Sequence, residues 1–362
     1  MVSVKKEYGQ LKECILADFY TPDFWNDWLH LDDAGVVTIR DLFKRISDEV
    51  LEDLAVIEKT LKEHGVVVHK PDTAVVQEML ISGELTGQDD NANSTTFMDL
   101  ILNVDAPVTP GYDLWVYGNK LYTCVEKDIE YGTIFGNLEA NGTVVERNPN
   151  NTNLKKFPFQ SVQRLGDTLW ADSEELNEER IELLRQIAPE ANIIAEPDNG
   201  QNFIKWIRED LVHYSGHDDD DGPNACIDIP KVRAQGMSSQ RWLSETKNIN
   251  EMDKFVNSAI NEMLKLNSNK WWVDRYIETG DDTILKEVHA FCQYWADFTM
   301  GVTPFEQDGV AINEETYMTM GNDPVQESIL KKHKVDLLSV PFRHKYLWGH
   351  SLRGYIADLT RI

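Results

Sequence analysis

Cysteine is scarce in this chain: four among 362 residues, at Cys14, Cys124, Cys226 and Cys292, with no Cys-x-x-Cys pair. That scatter fits reduced thiols in a cytoplasm better than a disulfide framework. No apolar run approaches the roughly 18–20 residues that cross a bilayer. The opening MVSVKKEYGQL lacks the apolar core of a secretion signal, so the sequons at Asn93, Asn141 and Asn150 read as chance. Positive charge is short as well, with 35 Lys and Arg against 62 Asp and Glu, a formal net charge of −27. A surface so negative repels phosphate backbones and anionic lipid, so neither nucleic acid nor a membrane surface is the expected partner. No glycine-rich phosphate loop occurs and no His–Cys spacing marks zinc, so no cofactor and no metal are expected. No Pro-, Gly- or Ser-rich linker divides the chain, and 41% hydrophobic residues supply a large core. The expectation is a single domain over residues 1–362, soluble and cytoplasmic, and open to homo-oligomer formation.

What is present is a repeated order of elements. Hairpins are expected over Asp113–Val125 with its turn at Gly118-Asn119, over Ser161–Ala171 turning at Gly166-Asp167, and over Phe298–Ile312 turning at Asp308-Gly309. Gly beside Asn or Asp between apolar runs is a strong hairpin signal because both tolerate positive φ. A weaker copy spans Ala225–Ala234. Helices follow: Asp41–Glu63, Ser173–Ile187 with a Ser cap and early acids, Glu251–Leu266 and Pro324–Lys334. Short apolar strands come after them at Gly65–His69, Asn192–Ala195, Lys270–Val273 and Val335–Val340. The unit is hairpin, helix, strand, in four or five imperfect copies. Insertions around Thr73–Val108 and Gln201–Asp221 argue against a regular solenoid. The repeated hairpins argue against a doubly wound sheet, which leaves a radial array.

Two ends of the sequence carry a family likeness. The start, Glu7-Tyr-Gly-Gln-Leu-Lys-Glu-Cys-Ile-Leu16, resembles the opening strand of the amidinotransferases, where WxxLxEVIVG is typical. The end, Arg343 to Arg361, resembles their closing segment RHRxFWDGGLHCxTxDLxR. The resemblance implies a five-bladed α/β propeller of the pentein superfamily, built from pseudo-fivefold ββαβ units around a central pocket. In that family a Cys attacks the guanidino carbon of a donor such as arginine, and an amine accepts the amidino group. The chemistry requires a thiolate, a His to move protons and carboxylates to grip a planar guanidinium.

Carried across residue by residue, the closing motif puts Trp348 before the glycine turn, Gly349, His350 and Ser351 in the turn, Leu352 after it, and Arg353 where a His is usual. Gly354 falls where the nucleophilic Cys belongs, and Asp358 matches its counterpart four residues on. The segment Ser161–Ala171 resembles ADFIRxGRDLFV, with Ser161 where a catalytic Asp would stand. Gly216-His217-Asp218-Asp219 resembles GHxD, which makes His217 and Asp219 the matches to the catalytic His and a carboxylate. Asp113 lies within a residue of the donor-binding Asp.

Plainer readings stand beside these. The His217–Asp221 run is also a solvated acidic loop, and it fails as a calcium loop because Asp228 replaces the closing Glu. Cys226 is the thiol nearest that loop in sequence, whereas Cys14, Cys124 and Cys292 fall in core patterns. The aromatic stretches Tyr20–Trp28 and Trp271-Trp272 suit packing, a lid or a pocket wall, and Arg343-His344-Lys345 is a small basic island. The sequence therefore points to a diverged amidinotransferase-like protein without the covalent nucleophile. Such a protein would bind a guanidino or amino-acid ligand, through Asp113, Arg353 and Ser351, or a protein partner. The alternative is an active amidinotransferase or guanidine-modifying hydrolase that uses His217 with another thiol or a non-covalent route.

Overall fold

The computed structural model describes residues 2–28, 34–82, 108–123, 128–147, 162–172, 177–196, 204–209, 211–214, 233–235, 309–320, 324–342 and 351–362. The chain enters strand β1 (Leu11–Leu16), where Leu11 and Cys14 through Leu16 are buried. After a short helix α1 (Phe24–Trp28), the long helix α2 (Ala34–Glu63) packs over this strand. Its Val50, Leu54, Ile57 and Leu61 are buried at spacings of three and four, one stripe of a helix facing the core. Strand β2 (Val67–His69) then lies parallel to β1, and α3 (Thr73–Ser82) leads away.

The same plan recurs. A four-residue helix α4 (Pro110–Asp113) precedes the hairpin β3 (Trp115–Tyr117) and β4 (Lys120–Thr123). Helix α5 (Asp128–Ala140) then returns the chain to β5 (Val144–Arg147), parallel to β4. The next hairpin is β6 (Val162–Leu165) with β7 (Thr168–Asp172), followed by α6 (Glu178–Ile187) and the parallel strand β8 (Asn192–Glu196). Both hairpins turn on the expected glycines, Gly118 at φ +60° and Gly166 at φ +76°. The fourth sheet contains β9 (Ile204–Arg208), β10 (Leu211–Tyr214) and β11 (Arg233–Gln235). The fifth contains β12 (Val310–Asn313), β13 (Thr316–Met320), helix α7 (Pro324–Lys332) and β14 (Asp336–Val340). Each unit joins an antiparallel pair to a parallel third strand, and in the first, second, third and fifth a helix makes the crossover that a parallel connection needs. A last short helix, α8 (Leu352–Tyr355), leads into β15 (Ile356–Arg361), which pairs antiparallel with β1. The final strand thus completes the first sheet and closes the ring.

The described residues form five three-stranded sheets, the five-bladed α/β propeller expected from the sequence. Apolar clusters sit between neighbouring blades. Leu11, Leu16, Val310 and Met318 join the first and fifth. Trp115 and Tyr122 join the second to Leu169 and Leu184 of the third, and Ile207 and Leu211 of the fourth meet Ala311 and Tyr317 of the fifth. Three blades end their helix with the same device. The amide of Val66 donates to the Leu61 carbonyl, that of Thr143 to Leu138 and that of Val335 to Leu330. These six-to-one bonds span a left-handed residue, Gly65, Gly142 and Lys334 respectively.

Four details differ from expectation. The hairpin placed at Phe298–Ile312 is shifted: its arms are β12 and β13. Its turn is set by Asn313, whose Oδ1 accepts from the Glu315 amide at 2.8 Å, an Asx turn in place of a glycine one. Gly309 is the entry to β12, lacking a side chain because its α-carbon rests against the Met318 carbonyl. The segment 201–221, taken as an insertion, contains the fourth hairpin. Of the weaker copy at 225–234, residues 233 and 234 belong to the parallel strand β11, and the rest lie outside the described residues. The helix after β7 is capped by Asn177, whose side chain accepts from the Arg180 amide; Ser173 lies outside the described residues. So do the expected helix at 251–266 and the strand at 270–273.

Candidate functional site at the propeller hub

The segment ahead of β1 builds one end of the hub. Ser3 donates its amide to the Leu359 carbonyl at 2.8 Å, Val4 to Gly118 at 3.0 Å, and Glu7 to Arg164 at 2.9 Å, while Gly166 donates to Lys5 at 2.8 Å. One extended stretch therefore laces the first three blades across their hairpin turns, and it delivers the Glu7 side chain to the axis.

There Glu7 meets Arg164 in a bidentate pair. Arg164 Nε donates to Oε1 at 2.8 Å and Nη2 to Oε2 at 3.0 Å, while Nη1 donates to the Val116 carbonyl at 2.7 Å. Arg164 Nη2 also lies 3.5 Å from Asp358 Oδ2, with both side chains 8% exposed. Asp358 Oδ2 accepts from Arg361 Nε at 2.6 Å, and Arg361 Nη1 donates to the carbonyls of Gly9 at 2.9 Å and Ala311 at 2.7 Å. Arg353 reaches the same group, its Nη2 standing 3.6 Å from Glu7 Oε1. Burial by itself would raise the Glu7 carboxyl, but the guanidiniums of Arg164, Arg353 and Arg361 outweigh it and hold the group well below the usual carboxylate range. Burial likewise opposes the charge on Arg164, and Glu7 with Asp358 reverses the effect, so its pKa is raised.

This cluster lines a cavity of about 50 Å³ at the axis, to which every blade contributes: Trp115, Arg164, Trp206, Ala311 and Asp358. Helices α4 and α8 contribute Gly111 and Arg353 to the same cavity. The backbones there nearly touch, since a side-chain atom on Gly111 would collide with the Arg353 carbonyl. Gly354 is buried, and its α-carbon faces the ring of Tyr112; a Cβ built on it would stand 2.8 Å from Tyr112 Cζ and 3.0 Å from the hydroxyl.

Four of the residues singled out from the sequence sit together at these two helices. Asp113 closes α4, and its Oδ2 accepts from the Tyr131 hydroxyl at 2.9 Å. Ser351 caps α8, its carbonyl accepting from the Gly354 amide at 3.0 Å. Arg353 and Gly354 lie within that helix. Ser161, His217, Asp219 and Cys226 lie outside the described residues. Cys14 is a free thiol buried in β1 opposite Asp358, and burial, reinforced by that carboxylate, pushes its pKa up, so it is no nucleophile. Sequence reasoning missed Glu7, Arg164 and Trp206 as hub residues. Asp358 had a motif to mark it, whereas Glu7 and Arg164 are separated by 157 residues and have no local signature.

The fold is a five-bladed α/β propeller. No protein-family model and no curated protein sequence matches the chain. Solved structures do match over its whole length. The inosamine-phosphate amidinotransferase StrB1 from Streptomyces griseus superposes with a TM-score of 0.56 at 13% identity, covering 100% of this chain and 97% of that one. SxtG, an amidinotransferase from Microseira wollei in the saxitoxin biosynthetic pathway, gives 0.55 at 11% identity, covering 99% and 97%. The chain is similar in fold to both. Among the described residues no helix is long and apolar enough to cross a membrane.

Proposed function

We propose that this protein is a diverged amidinotransferase-like propeller that binds a small guanidino or amino-acid ligand, in the cytoplasm, without forming an amidino-enzyme through residue 354. One observation carries the reading. The position that the family likeness assigns to the nucleophile is a buried glycine, and the Tyr112 ring fills the volume its side chain would need. A hydrogen atom forms no adduct with a guanidino carbon, and the thiol present among the described residues, Cys14, is sealed in the core. The full-length fold similarity to two amidinotransferases supports the choice of ligand class.

The test is direct. The protein is incubated with arginine and glycine, and ornithine and new guanidino products are sought; in parallel, arginine-like ligands are titrated in a thermal unfolding assay. Stabilisation without product is the expected result. Turnover would overturn the reading, and two variants then sort the mechanism: loss of turnover in Cys226→Ser identifies a relocated thiol, whereas loss only in His217→Ala identifies a non-covalent route. Silence in both assays would replace the small ligand with a protein partner.

A further inference from the structure

Among the described residues, the charged groups lining the axial cavity do not balance. Three guanidiniums, Arg164, Arg353 and Arg361, face two carboxylates, Glu7 and Asp358. The three arginines are unequally committed. Arg164 spends its donors on both oxygens of Glu7 and on the Val116 carbonyl, and Arg361 spends its own on Asp358, Gly9 and Ala311. Arg353 has no such bond among the described residues. Its closest carboxylate oxygen, Glu7 Oε1, is 3.6 Å away and already accepts from Arg164 Nε at 2.8 Å and the Arg164 amide at 3.2 Å. On the fourth blade Trp206 lines the same cavity and is 4% exposed, yet its buried indole Nε1–H has no hydrogen-bond partner among the described residues. A buried donor left so costs about 1–3 kcal/mol.

We infer that this cavity binds a small carboxylate, with Arg353 as its charged donor and the Trp206 indole as its neutral one. A carboxylate offers two oxygens in one plane, the geometry a guanidinium fork and an N–H donor satisfy together. It also neutralises the one excess positive charge among the described lining residues. A guanidinium ligand carries the same sign as the excess charge and meets carboxylates already paired with Arg164 and Arg361, so this lining disfavours it. The inference shares Arg353 with the ligand set named above but needs no guanidino group: it concerns the charged lining of Glu7, Arg164 and Arg353, so acetate binding can hold even where arginine-like ligands neither bind nor react.

The experiment follows the Trp206 indole N–H resonance by nitrogen-15 NMR, assigned by its loss in Trp206→Phe. Sodium acetate, glycine, sodium chloride and methylguanidinium are each titrated at constant ionic strength. Acetate is expected to move the resonance saturably, and Arg353→Gln to weaken that binding at least tenfold. Arg353→Lys, which keeps the charge but loses the fork, should be intermediate and guards against a Gln variant that fails to fold. A still resonance under acetate, an equal response in Arg353→Gln, an equal response to chloride, or saturable binding of methylguanidinium would each overturn the inference. A response to glycine without one to acetate would overturn it too, because a free carboxylate suffices here.

Discussion

Tyr112 lies across the α-carbon of Gly354, so the two residues divide between them a volume that holds only one side chain. Carbon atoms pack at about 3.5–4.0 Å, and a Cβ at residue 354 would come to 2.8 Å from Tyr112 Cζ. Gly354→Cys should therefore cost about 1–3 kcal/mol by overpacking, and its thiol should alkylate much more slowly than a free cysteine. Adding Tyr112→Ala should recover part of the stability and speed the labelling. Urea denaturation and iodoacetamide kinetics read both; rapid labelling of the single variant would contradict the packing described.

Breaking the Glu7–Arg164 pair from one side strands a charge at the axis. Glu7→Ala should cost about 3–5 kcal/mol, as for other buried pairs left half-occupied. The double variant Glu7→Leu with Arg164→Met should be less destabilised than the two single changes summed, because it removes both charges together. A double-mutant cycle by chemical denaturation measures the coupling, and strict additivity would refute it.

Acid should loosen the hub through the same carboxyl. The folded protein holds Glu7 below its ordinary value of about 4.5. The unfolded chain therefore takes up the proton first as pH falls, and the native state loses relative stability. The advantage of the native protein over Glu7→Gln should be constant above pH about 4.5 and narrow below it. Denaturation midpoints of both proteins between pH 7 and pH 3 test this, and an advantage that grew on acidification would contradict it.

Lys334 holds φ at +59° at the end of α7, where two sister blades place glycine. A left-handed conformation costs an L-residue roughly 1–2 kcal/mol, whereas glycine loses about 0.5–1 kcal/mol more in unfolded-state entropy. The first effect outweighs the second, so Lys334→Gly should stabilise the protein by about 0.5–1 kcal/mol. A thermal melt that falls would show that the lysine side chain contributes more than its backbone costs.

Much of the blade plan is written locally. Gly118 and Gly166 mark two hairpins because positive φ is a property of the residue itself, and the apolar stripe Val50–Leu54–Ile57–Leu61 marks its helix because period and face are set by neighbours along the chain. The glycine at residue 354 is equally plain in the sequence. The fifth hairpin was misplaced because its turn rests on the Asn313 side chain bonding its own backbone, a weaker signal than the nearby Asp308-Gly309. The fourth was hidden because residues 209 and 210 are Glu-Asp, with no glycine at all.

The sequence by itself determined the repeating unit, the acidity and the glycine at residue 354. Only the tertiary structure decided that β15 closes the ring on β1, that Glu7 grips Arg164, and that Tyr112 covers Gly354. The reason is physical. Dihedral preference and periodicity act between residues a few positions apart, whereas an ion pair or a steric contact depends on separation in space, and that separation exists only once all five blades have docked around a common axis.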